Sequence, residues 1–205
     1  MKAISAIVEV TLEGLDTINT RVLLFGRTIG LVALGLMVLV ILAQIFFRYV
    51  LNNALPWPEE AARGLMIWMM ALVAPSAYRY TGFVSIDMLH DLIPARLKNY
   101  LVLAILLLCS FVSIIMLQHA WSHFSAPLLF DSSGLNRLLQ DTRINQLLGT
   151  KIQFRTAYIY LAMSVLLMLI LMVSLELILR QLARIIWGNE RFPIPKIPTE
   201  MAANS

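Results

Sequence analysis

The chain has 205 residues, of which 60% are hydrophobic and 14% charged, and its formal net charge is +4. Soluble domains carry about 25% charged residues, so this composition excludes an ordinary soluble protein and indicates one that is surrounded by lipid. The basic residues are spread along the chain, which is not the pattern of a nucleic-acid-binding protein. We assign residues 1–187 to one helical membrane domain.

The first 28 residues are predicted to form an amphipathic helix on the membrane surface. They do not resemble a cleavable signal peptide, because Glu9, Glu13 and Asp16 interrupt any apolar run. One stripe of positions recurs at alternating steps of four and three, and its members are Ile4, Val8, Thr11, Leu15, Ile18, Val22 and Phe25. We expect lipid or a protein partner to cover this stripe, and the chain to turn at Gly26 and Gly30.

Four apolar stretches follow, and each is long enough to cross a hydrocarbon core of about 30 Å. They are residues 29–51, 61–80, 100–121 and 157–179. Trp57, Trp121 and Trp187 lie near their ends, where amphipathic rings anchor a helix at the membrane interface. The predicted fold class is therefore an all-α integral membrane protein, with four transmembrane helices preceded by an interfacial helix.

The positive residues favour one orientation of these spans. With the N-terminus inside, ten of the 16 Lys and Arg residues lie on the cytoplasmic side and six on the outer side. An excess of positive charge on the cytoplasmic side is the usual topology signal. We therefore predict a multi-pass protein with both termini in the cytoplasm.

The two remaining segments differ in composition from the spans. The link at 122–156 is much longer than a helical hairpin needs, so we predict a helical periplasmic link between the third and fourth spans. It serves either as a flap on the outer surface or as a docking surface for an external partner. Residues 188–205 contain Pro193, Pro195 and Pro198, and we predict a disordered cytoplasmic tail.

The junction between the first two spans gathers charged residues at one membrane face. Arg48 ends the first span, while Glu59 and Glu60 open the second, where the positive helix N-terminus favours carboxylates. An Arg48 to Glu60 pair would join the two spans. Glu59 and Arg63 form a competing local pair at four-residue spacing, and the two pairs are compatible.

Small residues on the second span predict a surface for close helix packing. They are Ala71, Ala74 and Ala77, and Pro75 between them is expected to kink the helix. Near the end of the fourth span, Glu176 and Arg180 have the spacing of a helix-end ion pair.

No motif for enzymatic chemistry is present in the sequence. We find no nucleophile with a partnered base, no phosphate-binding loop and no metal-ligand cluster, and we predict no enzyme activity, cofactor or metal. His119 and His123 share one face of the third span. Together with His90 they leave a rival hypothesis, a membrane anchor that holds haem or quinone in a redox complex.

Three segments resemble one protein family, the small membrane subunit (DctQ-like, Q component) of tripartite ATP-independent periplasmic, or TRAP, transporters. The segments are residues 47–50 (FRYV), 56–63 (PWPEEAAR) and 78–87 (YRYTGFVSID). The four-span length and the acidic N-terminal helix add to this resemblance, which covers about residues 1–185.

The resemblance implies a scaffold in the bacterial inner membrane rather than a transporter in its own right. In such systems a periplasmic substrate-binding protein (P component) captures an organic acid. A large elevator-type membrane subunit (M component) carries it inward with sodium ions, and the small subunit stabilises that large subunit within the bilayer. Asp87 is expected to cap the segment that leads into the third span.

Overall fold

The computed structural model describes residues 2–53, 55–81, 95–124 and 157–188, together with Phe192 and Pro195. Four helices contain nearly all of these residues, which confirms the all-helical prediction. They are α1 (Lys2–Tyr49), α2 (Trp57–Thr81), α3 (Ala95–Phe124) and α4 (Ala157–Trp187). The link at 122–156 is described only as far as residue 124, and its predicted structure lies outside the described residues.

Helix α1 corrects the prediction of a separate surface helix. Its 48 residues form one uninterrupted helix, so the expected turn at Gly26 and Gly30 is wrong. Both glycines are buried at four-residue spacing on one side of the helix, where a missing side chain assists packing. At about 1.5 Å per residue α1 is about 72 Å long, far more than one hydrocarbon core of about 30 Å.

The first half of α1 packs against the chain mainly through residues outside the predicted apolar stripe. Leu12 and Leu23 are buried, at 3% and 2% exposure. Ile18, Val22 and Phe25 of the predicted stripe are instead 51%, 37% and 69% exposed. These three members therefore face the surroundings of the chain, whereas Val8 packs against the cluster of Leu12, Ala183 and Phe192. Contact of the stripe with lipid or a partner stays a prediction.

Three of the helices are long and apolar enough to cross a membrane. These candidate spans are Ala6–Tyr49, Asn99–Ser122 and Tyr158–Trp187. Helix α2 is not among them; its 25 residues include the charged Glu59, Glu60, Arg63 and Arg79. The second of the four predicted spans therefore stays a prediction.

The chain divides into two compact units, and the first comprises Met1–Arg27, Val73–Leu117 and Leu166–Ser205. Its core is made of large aliphatic side chains, with Tyr78 and Ile178 packed against it. The buried members are Leu23, Val102, Leu106, Val173 and Leu177. Because lipid tails are as apolar as these side chains, close packing rather than expulsion of water stabilises such a core in a membrane.

Helices α1 and α4 run antiparallel within the first unit. Asp16 of α1 contacts Arg180 of α4, and Asn19 of α1 contacts Glu176 of α4. The position on α4 therefore moves back by four residues as the position on α1 moves forward by three. Gln181 also donates to the carbonyl of Asn99 at the start of α3. These contacts bring Asp16, Asn99 and Gln181 to one end of the unit, whereas the predicted cytoplasmic position of that end stays a prediction.

The second unit, Thr28–Leu72 with Gln118–Val165, is packed through small residues. Its buried alanines are Ala33, Ala71, Ala120 and Ala162. A side chain added at Gly64 of α2 would make ordinary van der Waals contact with the Ile159 side chain of α4, 4.0 Å away. Small side chains at helix contacts are typical of membrane helices, where they permit close backbone approach.

Candidate functional site: a buried charge network

Arg79, in the last turn of α2, is completely buried and is the centre of a polar cluster in the first unit. Its Nη2 donates to Asp16 Oδ1 at 2.7 Å and to Glu176 Oε1 at 2.8 Å. Its Nη1 donates to Thr20 Oγ1 at 2.8 Å and to the Tyr80 hydroxyl at 3.0 Å. The planar guanidinium thereby joins α2 to both α1 and α4.

Glu176 of α4 is equally buried and accepts hydrogen bonds from three residues. Besides Arg79, these are Asn19 Nδ2 at 2.5 Å and Arg180 Nη2 at 3.1 Å. Arg180 also contacts Asp16 Oδ1 at 3.1 Å. We call Asp16, Arg79, Glu176 and Arg180 the charge network; its two positive and two negative groups sum to zero.

The neutrality of the charge network decides its energetic role. A buried charge without a partner is very unfavourable, whereas a paired and hydrogen-bonded one is tolerated. Each carboxylate of the network contacts both arginines, so no member is left without an opposite charge. Loss of one member would leave the remaining three with a net charge, at a cost that is largest for the fully buried Arg79 and Glu176.

Two further contacts extend the cluster on either side. The Arg79 guanidinium carbon lies 5.3 Å from the centre of the Tyr80 ring, a cation–π distance. The Tyr78 hydroxyl lies 3.1 Å from Ser174 Oγ, beside the aliphatic core. The polar cluster therefore borders the apolar core directly.

The sequence analysis identified only one contact of the charge network. The Glu176 to Arg180 pair, predicted from its four-residue spacing, is confirmed. Asp16 entered the sequence analysis only as evidence against a signal peptide, and Arg79 only in the count of basic residues and within the family-like segment 78–87. The missed signal was Glu176 itself, a carboxylate within an apolar helix, which requires an opposite charge from another helix.

The junction between the first two predicted spans has a different arrangement of charges. Arg63 Nη2 lies 2.9 Å from Glu59 Oε1, with the two side chains 65% and 72% exposed. The Arg48 guanidinium lies 5.8 Å from the ring of Tyr49. Glu60 is half-buried in the first turn of α2, and its pairing with Arg48 stays a prediction.

The three predicted tryptophan anchors lie near helix ends. Trp57 is the first residue of α2, and Trp121 is 61% exposed near the end of α3. Trp187 ends α4 and lies 6.2 Å from the Phe192 ring. Phe192, in the tail predicted to be disordered, is 4% exposed, and its carbonyl accepts a hydrogen bond from Arg184 Nε at 2.6 Å.

The predicted contact face of α2 is divided between the interior and the surface. Ala71 and Pro75 are buried, Ala74 is half-buried and Ala77 is exposed. Helix α2 continues through Pro75. The buried members pack within this chain, and the use of the face by a partner stays a prediction.

No group of three potential metal ligands occurs in the described part of the chain. His119 is exposed on α3. The side chain of His123, along with His90 and Asp87, lies outside the described residues.

Comparison with protein families identifies the family to which the chain belongs. Residues 37–184 match the family "Tripartite ATP-independent periplasmic transporters, DctQ component". The chain belongs to this family. Membership in this family of transporter components and the three apolar helices support a multi-pass inner-membrane protein, and the redox-anchor hypothesis is not favoured.

One curated relative of this DctQ-family chain is the C4-dicarboxylate TRAP transporter small permease protein DctQ of Vibrio cholerae serotype O1. The two are 26% identical over 91 residues, which are 44% of this chain and 39% of the relative. No solved structure matches the chain. Three members of the charge network lie within the family match, and Asp16 precedes it.

Proposed function

We propose that this DctQ-family chain is a non-catalytic scaffold that binds and stabilises the large elevator-type membrane subunit of its transporter. The complete system would take up an organic acid together with sodium ions, after capture by a periplasmic substrate-binding protein. The observation that carries the scaffold role is the closed, neutral charge network.

A solute pathway needs polar groups that are free to exchange partners with the solute. Arg79 and Glu176 are both 0% exposed, and each already contacts opposite charges within the chain. They are thus engaged in joining helices rather than positioned to bind cargo. A subunit with its buried charges engaged in this way is suited to holding a fixed shape.

The exposed apolar surfaces supply contact area for the bilayer and for a large membrane subunit. Helix α3, for example, presents Leu107, Leu108 and Phe111 at 51%, 63% and 61% exposure. The printed name of the Vibrio cholerae relative makes C4-dicarboxylates the first organic acids to test. The predicted partners are therefore the large TRAP membrane subunit, the periplasmic binding protein and lipid.

Reconstitution into liposomes tests this proposal. We expect uptake of labelled C4-dicarboxylate, driven by an inward sodium gradient, only when this chain, the large subunit and the binding protein are all present. The chain alone should form a stable protein without accumulating solute. Accumulation by the chain alone, or full transport after its omission, would contradict the scaffold role.

A further inference from the structure

Arg21 lies on the side of α1 that faces away from the rest of the chain. The neighbouring residues Asn19 and Leu23 are 1% and 2% exposed, and a step of two residues places Arg21 on the opposite face of the helix. Its side chain is exposed. No hydrogen bond or ion pair joins it to another residue in the part of the chain that the structure describes.

The exposed surface of α1 changes character at Arg21. On its N-terminal side the exposed residues include Thr11, Glu13 and Thr17, interspersed with apolar ones. Between Val22 and Phe46, none of the exposed residues is charged; Arg27, the charged residue in this range, is half-buried and has an interaction within the chain. Such a change along an exposed helix surface is the pattern expected where a helix passes from the headgroup layer into hydrocarbon.

Arg21 is surrounded by apolar side chains on the same face. Ile18, Val22 and Phe25 are 51%, 37% and 69% exposed and lie three residues before, one after and four after it. Phe25 is about 6 Å deeper along the helix axis. An arginine in this setting extends its charged end toward the interface, while its aliphatic stem and its neighbours contact acyl chains.

The charge network does not draw on Arg21, although Asp16 and Thr20 lie within five residues of it. The network's two arginines already balance its two carboxylates. The positive charge of Arg21 is therefore available to a group outside the chain.

We propose that Arg21 binds the phosphate of an anionic phospholipid in the leaflet that surrounds the N-terminal half of α1. The guanidinium donates to the phosphate oxygens, and Val22 and Phe25 contact the acyl chains. This lipid site does not depend on the proposed scaffold role, because it requires only that the chain lies in a bilayer.

Native mass spectrometry of the delipidated full chain in detergent tests the site, with short-chain phosphatidylglycerol as the probe. We expect Arg21→Gln to lower the affinity for the first bound phosphatidylglycerol molecule about fivefold. One cation near a membrane surface contributes about 1 kcal/mol to binding, which corresponds to that factor. Arg21→Lys should retain most of the affinity. Arg63→Gln is the matched control, since Arg63 is also exposed but already contacts Glu59.

Two further ligands separate the phosphate from its apolar setting. Diacylglycerol with the same acyl chains should bind equally to the wild type and to Arg21→Gln. Phe25→Ala should weaken the binding of both phosphatidylglycerol and diacylglycerol. Glycerol phosphate, which has no acyl chains, should bind far more weakly than phosphatidylglycerol.

Three results would overturn the lipid site. The first is unchanged phosphatidylglycerol binding by Arg21→Gln. The second is an equal loss of diacylglycerol and phosphatidylglycerol binding in Arg21→Gln, which would indicate altered packing instead of a lost phosphate contact. The third is loss of a co-purifying membrane subunit from Arg21→Gln with lipid binding intact, which would assign Arg21 to a protein carboxylate.

Discussion

Replacing Glu176 with glutamine is the most direct test of the charge network. The change keeps the shape of the side chain but leaves the buried Arg79 and the largely buried Arg180 facing the single carboxylate of Asp16. Glu176 accepts charge-assisted hydrogen bonds from Arg79 at 2.8 Å and from Arg180 at 3.1 Å. Each such bond contributes about 1.5–3 kcal/mol, and breaking a buried ion pair costs about 3–5 kcal/mol.

We therefore expect Glu176→Gln to lower the free energy of unfolding by about 3–5 kcal/mol. For a chain of this size that corresponds to a fall in the unfolding midpoint of about 6–20 °C. The measurement is thermal unfolding of purified variants in one detergent, followed by tryptophan fluorescence. Glu59→Gln is the matched control: its pair with Arg63 is largely exposed, so the expected loss is below about 1 kcal/mol.

A second variant distinguishes charge imbalance from local damage. Adding Arg79→Met to Glu176→Gln restores neutrality, because Asp16 and Arg180 then remain as one pair 3.1 Å apart. The double variant should unfold at a higher temperature than Glu176→Gln alone, since no buried charge lacks a partner. The reasoning is refuted if Glu176→Gln has the same unfolding temperature as the Glu59→Gln control. It is also refuted if adding Arg79→Met to Glu176→Gln lowers the unfolding temperature further.

Three other changes probe the remaining features. Glu60→Ala should lower the yield of the complex with the large subunit, measured by co-purification, whereas Glu59→Ala should not; equal yields would remove the predicted role of Glu60. Leu23→Ala, at a core position 2% exposed, should cost about 2–5 kcal/mol in the same unfolding assay, and Phe25→Ala, at 69% exposure, far less. Phe192→Ala should accelerate proteolysis of the C-terminal tail, because its packing against α1 and α4 is lost, and an unchanged cleavage rate would argue against that packing.

The predictions that succeeded share a physical basis in short-range sequence patterns. Apolar runs of about 20 residues specify membrane helices because the bilayer has a definite thickness. The Glu176 to Arg180 contact was predictable because residues four apart are neighbours on any helix. The prediction at Gly26 and Gly30 failed because glycine breaks a helix only weakly, and here both residues are buried in helix packing.

The contacts between helices follow a different logic, because they depend on how each helix is rotated and aligned with its neighbours. Arg79 and Asp16 are 63 residues apart in the chain, and Asn19 and Glu176 are 157 apart. An apolar run can turn several faces inward, so hydrophobicity alone does not select the face that carries Asp16. The sequence by itself determined that the chain lies in a membrane as helices and that Glu176 and Arg180 are neighbours on one helix. Only the tertiary structure decided that Glu176 is buried, that Arg79 is its second positive partner and that Arg21 is left to the surroundings, since packing sets the rotation of each helix about its axis.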